Sequence, residues 1–415
     1  MSQTLKRSTF SVLFTTVFLD FVGFALVLPF IFFYAKSFGA TPFIFGLLLA
    51  SYSIAQFIFT PVWGSLSDRF GRRKIMLFCL LGSGLSFILF GLANTLWLLF
   101  LSRIIAGAMG ATFPVASAYV ADITTPEHRM KYMGKIGAAF GLGFIIGPAI
   151  GGALSGLYGF AVPSLVAAAL AFANFSLGYF RLPETVTKEM RVTKTNDSRE
   201  SMVTTFRKVA AKTDMKILLI TYFIAMLAFF VLDGTGTPWS QRVFGFGPFH
   251  VGLLFFYIGA VSAVVQGLVI PKLSRKYSPQ LLLLVGITSI TIGLAMLGFI
   301  TSYNLPALFI SSSFIPLGMG LSIASINTLA SLRASAERQG SALGATQAVS
   351  GVAQIIGPTF GASIFDYGVS VSLEGLPFLI AAVVAIPAIA MSMWFLKKAS
   401  AVSAEESVNR EPFQG

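Results

Sequence analysis

Twelve apolar runs, each long enough to cross a lipid bilayer, follow one another along the chain with mostly short polar connections between them. A helix needs about 20 predominantly apolar residues to span the hydrocarbon core, where no water is present to bond an exposed backbone group. The sequence therefore predicts an all-α polytopic membrane protein with twelve transmembrane helices. We expect them at 9–35, 42–66, 74–93, 96–121, 132–158, 162–182, 214–240, 248–272, 279–301, 305–332, 339–366 and 373–396.

The composition supports this class and argues against a nucleic-acid-binding protein. The chain is 55% apolar and 11% charged, which is too apolar for a soluble globule. A net charge of +13 can indicate nucleic-acid binding in a soluble protein. Here the basic residues lie at the ends of apolar runs, so they are better explained by membrane topology, and we predict the lipid bilayer rather than a nucleic acid as the partner.

The distribution of lysine and arginine predicts the orientation. All but three of the 29 basic residues fall on the side that holds both termini and the connections from even to odd helices. The exceptions are Lys36, Arg242 and Arg103, the last of which lies within a helix. The positive-inside rule then places both termini in the cytoplasm of a cell whose plasma membrane holds the protein.

The longest polar connection divides the chain in two. It covers 183–213, is rich in Lys, Arg, Thr and Ser, and is predicted to hold a short surface helix near Met202–Ala211. We therefore predict a six-helix bundle at 1–182, a cytoplasmic linker at 183–213, a second bundle at 214–398 and a disordered tail at 399–415.

A glycine-rich stretch shows that the two bundles are copies of one another. Residues 134–152 contain seven glycines and Pro148, and Gly147 and Gly151 share one helix face, where a second helix can approach closely. The pattern returns at a constant offset of 210 residues, with glycines at 344, 351, 357 and 361 and a proline at 358. Such a register indicates an internal duplication and two pseudo-symmetric bundles.

Three ionisable residues within the spans are candidates for proton coupling, because a charge in the bilayer is costly and is usually functional. Asp20 lies about 17 Å into the first helix at 1.5 Å per residue, so we expect it to gain and lose a proton during transport. The alternative is a carboxylate permanently paired with Arg103 of the fourth helix. Asp233, beside Gly234 in the seventh helix, either titrates as well or caps a broken helix. Asp366 is expected to be a solvated charge at an outer helix end.

Polar and aromatic residues on the inner helices are candidates for a substrate cavity, although each could instead pack against a neighbouring helix or lipid. The polar candidates are Gln56, Asn327, Gln347 and Gln354. The aromatic candidates are Phe24, Phe113, Phe140 and Tyr257. Phosphate-binding loops, zinc-ligand spacings and catalytic triads are not found in the sequence, so we predict that the chain is not an enzyme.

The connection between the second and third helices could serve only as a positively charged turn that anchors them at the lipid headgroups, but its residues offer more than charge. It reads Gly64-Ser-Leu-Ser-Asp68-Arg69-Phe-Gly71-Arg72-Arg73-Lys74. Its two glycines permit close packing and a tight turn, and Asp68 can pair with Arg69 or cap the next helix. The equivalent connection in the second half, 273–278, has lost the acid and the glycine.

Four motifs in order along the chain resemble those of the major facilitator superfamily. The 64–74 connection is similar to its loop signature, and Leu99-x3-Arg103-x3-Gly107 to its fourth-helix motif. The 134–152 stretch resembles the fifth-helix motif of the drug:proton antiporter branch. Phe18-Leu-Asp20-x-x-Gly23-x5-Pro29 is similar to the first-helix motif of twelve-helix drug exporters. Ala121-Asp122-Ile-Thr124 and Leu182-Pro-Glu184 look most like the tetracycline-efflux group.

The resemblance implies a proton-coupled exporter of lipophilic small molecules or drugs, with its cargo site between the bundles. It also implies a monomer without a cofactor, driven by the proton gradient and conferring antibiotic resistance. A cytoplasmic gate would be formed by Gly64, Asp68, Arg69, Gly71, Arg73 and Asp122. The antiporter motif would consist of Gly143, Gly147, Pro148, Gly151 and Gly152.

Two departures weigh against tetracycline itself as the cargo. Exporters of that group carry an acid in the third helix, where this chain has Ser86, and another in the ninth, which here has no charge. A transporter of a sugar, metabolite or lipid therefore remains an alternative. A membrane receptor is a second alternative, but it would not need Asp20 and Arg103.

Overall fold

The computed structural model describes residues 3–185, 213–334 and 339–408. The short helix predicted near 202–211 and the last residues of the predicted tail, 409–415, lie outside this part of the chain. Within it, helices joined by short turns account for the secondary structure. The predicted all-α class is thus confirmed.

The described residues of the first half form eight helices. They are α1 (Gln3–Val27), α2 (Ile31–Ser37), α3 (Pro42–Phe70), α4 (Arg72–Gly91), α5 (Leu96–Met109), α6 (Thr112–Ile123), α7 (Pro126–Tyr158) and α8 (Ala161–Arg181).

The described residues of the second half form seven more helices and one π-helical turn. They are α9 (Thr213–Phe244), α10 (Pro248–Val264), the π-turn (Val265–Val269), α11 (Ile270–Leu273), α12 (Pro279–Gly298), α13 (Leu305–Arg333), α14 (Gln339–Ser370) and α15 (Leu376–Val408). The last helix continues to Val408, through much of the segment predicted as a disordered tail from residue 399. Residues 399–408 include three alanines and contain neither glycine nor proline, so this part of the segment has no helix breaker.

Twelve stretches of the described chain are long and apolar enough to cross a membrane. The predicted twelve spans are therefore confirmed, but the structure breaks two of them. The first span ends at Val27, and α2 follows after a turn around Pro29. The fourth is interrupted at Gly110 and Ala111, between α5 and α6.

We use "near side" for the membrane face at which α1 begins and "far side" for the opposite face.

The chain divides into two compact units. The first contains Met1–Arg199, Gly234–Ala263 and Pro358–Tyr367. The second contains Glu200–Asp233, Val264–Gly357 and Gly368–Gly415. The boundaries of the bundles and linker predicted from the sequence stay a prediction.

The first unit is built around α1, which packs against both α7 and α8. Its near-side core joins Leu13 and Val17 of α1 to Tyr119 of α6, all of them fully buried. One buried polar contact fixes α8 to α1, since Asn174 Nδ2 donates to the Thr16 carbonyl at 2.8 Å. The side chains of α1 therefore face other helices as well as lipid.

The second unit repeats this kind of packing. Within it, α12 lies against α13 and α15. Buried side chains of α9, α12, α13, α14 and α15 form its core, which includes Phe395. Gly357 of α14 meets Phe230 of α9 just as Gly147 of α7 meets Ala25 of α1. The duplicated glycines thus make equivalent helix contacts in the two halves.

Candidate functional site

The break in the fourth span is stabilised by side chains from the second span. Interrupting a helix inside a membrane frees backbone carbonyls, which must be bonded within the protein. Trp63 Nε1 donates to the Ala108 carbonyl at 2.5 Å, and Gln56 Nε2 donates to the Gly110 carbonyl at 3.3 Å. Gly107 allows this approach, because a Cβ there would overlap the backbone of Tyr52.

Asp20 lies in the first unit beside this break. Its carboxyl lies next to the Thr112 hydroxyl without accepting a hydrogen bond from it in this structure. Thr112 is the first residue of α6, directly after the interruption. Cys79 of α4 and Tyr52 of α3 lie within electrostatic range of the carboxylate. Asp20 is partly exposed, and its neighbours come from α3, α4 and α6. The carboxyl therefore faces the interior of the first unit.

Arg103 does not form the static pair with Asp20 that we considered as an alternative. The side chain is 2% exposed, and its guanidinium stacks on the Phe90 ring at 4.4 Å from the centroid. Among the described residues, no acceptor bonds Nε or Nη2. Tyr52 lies within electrostatic range of both Arg103 and Asp20. The static-pair interpretation is thus wrong for this conformation.

An aromatic cluster borders Asp20. Phe21 lies 4.4 Å from Phe140 and 6.1 Å from Phe113 between ring centroids. Phe24 lies 5.3 Å from Tyr52, and Phe140 lies 4.9 Å from Phe144. More than a third of the surface of Phe113 and of Phe140 stays exposed.

The structure thus brings three predicted cavity residues, Phe24, Phe113 and Phe140, into one cluster with Gln56 close by. Sequence reasoning missed Phe21, Phe144 and Tyr52. A helical spacing could have found them, because Phe21 and Phe24, Phe140 and Phe144, and Tyr52 and Gln56 are three or four residues apart.

The candidates of the second half are placed in several different elements. Asn327 of α13 accepts a hydrogen bond from Thr346 Oγ1 of α14 at 3.2 Å. On α14, Gln347 is exposed and Gln354 is half-buried. Tyr257 of α10 is half-buried and belongs to the first unit.

Asp233 does not cap a broken helix. Helix α9 continues unbroken from Thr213 to Phe244, so the capping interpretation is wrong. The Asp233 side chain is exposed, and the next residue, Gly234, packs against the backbone of Pro358. Asp366 is likewise more than a solvated charge, because its Oδ2 accepts the Phe43 backbone N–H at the start of α3 at 3.1 Å.

The near side of the first unit carries an ionic cluster centred on Arg72 rather than Arg69. Arg72 Nη2 lies 2.5 Å from Asp68 Oδ1, and its Nε lies 3.2 Å from Asp122 Oδ2. Its Nη1 donates to Ser67 Oγ at 2.6 Å. Ser67, Asp68, Arg72 and Asp122 are called the gate cluster below. Arg69 is exposed and lies over the Phe70 ring.

The other predicted gate residues have separate roles. Gly71 has a φ of +117°, which an L side chain rarely adopts, and it forms the predicted tight turn between α3 and α4. Arg73 donates to the Tyr179 carbonyl of α8. A Cβ at Gly64 would meet no described atom within 4 Å, so the expected close packing at this glycine is not present.

The predicted antiporter motif lies in the far half of α7 and contacts two helices. A Cβ at Gly143, Gly147 or Gly151 would overlap α1, and at Gly151 it would meet the backbone of Leu26. Gly152 faces Gly252 of α10, where the Cα would lie 2.9 Å from an added Cβ. Pro148 lies within this stretch without breaking α7.

The Major Facilitator Superfamily model matches residues 13–358. The chain is 31% identical to the tetracycline resistance protein, class B, of Escherichia coli over 362 residues, which are 85% of this chain and 87% of that protein. It is 31% identical to multidrug resistance protein 2 of Bacillus subtilis (strain 168) over 407 residues, 96% of this chain and 98% of that one.

Solved structures share the fold. A bacterial homologue of the human lysosomal transporter Spinster superposes with a TM-score of 0.76 at 15% identity, covering 96% of this chain and 99% of that one. The human organic anion transporter MFSD10 superposes with a TM-score of 0.67 at 22% identity, covering 94% and 100%. The chain therefore belongs to the major facilitator superfamily, in the branch that holds the tetracycline and multidrug resistance proteins.

Proposed function

We propose that this membrane transporter is a proton-coupled antiporter that exports lipophilic drugs across the plasma membrane by alternating access. The observation that carries the proposal is Asp20, a partly exposed carboxyl inside the first unit, bordered by a cluster of aromatic rings. A carboxyl so placed exists in two protonation states that differ in charge, while the rings offer an apolar surface to cargo. Two relatives of this chain are named as tetracycline and multidrug resistance proteins, which is consistent with drug export.

The coupling follows from competition for one site. When Asp20 is ionised, it attracts a proton or a cationic cargo, and aromatic faces add a further attraction to a cation. When it is protonated, that attraction is lost and the cargo is released. Arg103 is buried in the same unit, and Tyr52 lies within electrostatic range of both Arg103 and Asp20. Asp233 is a second candidate for proton binding.

Alternating access requires contacts that form on one side while they break on the other. We place the near side in the cytoplasm, because the basic residues are concentrated there. The gate cluster would hold the near-side ends of α3, α4 and α6 together, and the glycines of α7 would allow α1 and α10 to approach on the far side. A monomer is sufficient for this cycle.

Arg103 also favours a second candidate function, the transport of an anionic metabolite. A buried guanidinium with unbonded donors is a suitable partner for a carboxylate or phosphate. Against it, Arg103 stacks on Phe90, and the rings around Asp20 are suited to apolar cargo. The same assay can test both.

The test is transport by purified protein in proteoliposomes with an imposed pH gradient. The panel contains a lipophilic cationic dye, tetracycline, a sugar and an organic anion. We expect gradient-driven accumulation of the dye by the wild type and its loss in Asp20→Asn. Dye-for-dye exchange without a gradient should be slower in Asp20→Asn but not abolished, because the attraction of the carboxylate is lost while the aromatic rings that offer an apolar surface to the dye remain.

Asp214→Asn is the matched control. Asp214 also lies on a transmembrane helix, but it forms an exposed ion pair with Lys398, whose Nζ lies 2.7 Å from its Oδ2. Surface pairs of this kind contribute about 0–1 kcal/mol, so the control should accumulate dye like the wild type. Full gradient-driven accumulation by Asp20→Asn would remove Asp20 from the coupling mechanism. Accumulation of the organic anion alone would favour the second candidate.

A further inference from the structure

The residues that follow α8 lie against the gate cluster. We call Leu182–Thr185 the strap, because it leads from α8 towards the linker between the two halves. Leu182 is 3% exposed and belongs to the near-side core of the first unit. Tyr119 of α6 donates its hydroxyl to the Pro183 carbonyl at 2.5 Å. The strap is therefore fixed to α6, the helix that also carries Asp122.

One hydroxyl of the strap reaches the gate cluster directly. Thr185 Oγ1 donates to Asp122 Oδ2 at 3.1 Å. The same oxygen accepts Arg72 Nε at 3.2 Å. A carboxylate bonded by only one neighbour can rotate, whereas two donors from separate elements fix its orientation. Thr185 thus determines where Asp122 presents its oxygen to Arg72.

The turn between α3 and α4 has room for the strap. The Glu184 carboxylate lies over Gly71, where a Cβ would overlap this flexible side-chain end. The Thr185 backbone N–H donates to Glu184 Oε1 at 3.1 Å, which folds that carboxylate back along the strap. An exit from α8 with no role at the gate would not need the hydroxyl on Asp122.

We infer that Thr185 is a positioning residue of the cytoplasmic gate. It holds the Asp122 carboxylate in the orientation that Arg72 bridges to Asp68, so the first residues of the linker take part in opening and closing the near side. When Arg72 leaves Asp122, the Thr185 hydroxyl still bonds the carboxylate, which lowers the cost of separating the ion pair. The inference rests on the proposed function, because it assigns a role within that transport cycle.

The experiment compares five variants in proteoliposomes, with maximal rate and KM measured separately for the dye. Thr185→Val removes the hydroxyl and keeps the shape. We expect the maximal rate to fall about tenfold, the size of one lost hydrogen bond to a charged group, with KM unchanged within about twofold. Thr185→Ser should recover most of the rate. Thr124→Val is the matched control, because the Thr124 hydroxyl, also at the end of α6, bonds only the Val120 carbonyl of its own helix.

The fourth variant is Asp122→Asn, and the fifth combines it with Thr185→Val to complete a double-mutant cycle. If Thr185 acts through Asp122, the double variant should be no slower than Asp122→Asn alone. The same cycle on the melting temperature of the detergent-purified protein should also be non-additive, and this arm needs no cargo.

These readouts separate the inference from the proposed function. Wild-type rates for Thr185→Val, or rates that multiply in the double variant, would overturn the role of Thr185. If the maximal rate fell equally in Thr124→Val, the loss of any hydroxyl near the end of α6 would explain the effect. That result would also overturn the role of Thr185. Absence of transport by the wild type, combined with a non-additive melting cycle, would defeat the proposed function and leave the contact between Thr185 and Asp122 supported.

Discussion

Helix α7 carries glycines along its whole length, but only those in its far half touch another helix. A Cβ at Gly147 or Gly151 would overlap α1, and one at Gly152 would overlap α10. At Gly134, Gly137 and Gly141 it would meet no described atom within 4 Å. Glycine thus lies in two different environments within α7. At Gly147, Gly151 and Gly152 the backbone of a neighbour excludes a side chain, whereas no described atom opposes one at the near-half glycines of this conformation.

The near and far halves of α7 contribute glycines to the same face of the helix, which makes the contrast between their surroundings more informative. Residues 141, 145, 148 and 152 follow one another at helical spacing, so Gly141 continues the row that meets α10 at Gly152. The far end of this row is in backbone contact with Gly252. At the near end of the row, no described atom lies within 4 Å of a Cβ added at Gly141. A helix that needed glycine only for static packing would have no reason to keep it at the open end.

The largest expected effect is that of Gly151→Val in the far half. The new side chain would occupy the position of the Leu26 backbone, and backbone cannot move aside as a flexible side chain can. Overpacking of this kind costs about 1–3 kcal/mol or more. We expect little monodisperse protein after detergent extraction, measured by size-exclusion chromatography against the wild type.

Gly134→Val is the control for that prediction, since it adds the same side chain to the near half of the same helix. Its yield should be close to that of the wild type. A comparable loss in both variants would mean that the contrast between the two halves of α7 has no energetic consequence.

Much of the fold could be predicted from the sequence, because the length of an apolar run decides whether it spans a bilayer. The interruptions could not. Hydropathy does not show that the carbonyls of Ala108 and Gly110 are bonded by Trp63 and Gln56, which lie about 50 residues earlier. Breaking a membrane helix depends on such tertiary partners, so α5 and α6 were predicted as one span.

The candidate site shows the same limit. Asp20 could be singled out because a carboxylate in an apolar run is rare, and the structure places it beside predicted aromatic residues. The loop pattern favours Arg69 over Arg72, and it does not show that the turn at Gly71 brings Arg72, at the start of α4, onto Asp68, at the end of α3. Thr185 gave no signal in the sequence, since its role depends on a contact with Asp122, 63 residues away.

A smaller effect is expected where α7 meets α10. In Gly152→Ala the added methyl would lie 2.7 Å from the Pro248 carbonyl oxygen and 2.9 Å from the Gly252 Cα, so both backbones must move apart. We expect a lower melting temperature, corresponding to a loss of about 1–3 kcal/mol. The control is Gly156→Ala on the same side, whose methyl would meet Phe249 Cβ at 3.5 Å, an ordinary contact. A melting temperature that falls equally in both would contradict the assignment of close packing to Gly152.

The smallest effect on stability, and the sharpest test of the comparison, is that of Gly141→Ala. No described atom opposes the methyl, and alanine favours a helix over glycine by about 1 kcal/mol, so the melting temperature should stay constant or rise. If the near end of the row approaches a neighbour when the far end separates, the same methyl would obstruct that step and slow dye transport. We therefore expect a variant that is as stable as the wild type and transports more slowly, with the rate and the melting temperature measured on one preparation. A stable variant with wild-type transport would show that the near-half glycines are not packed in any state of the cycle. A destabilised one would show that they are already packed in this state.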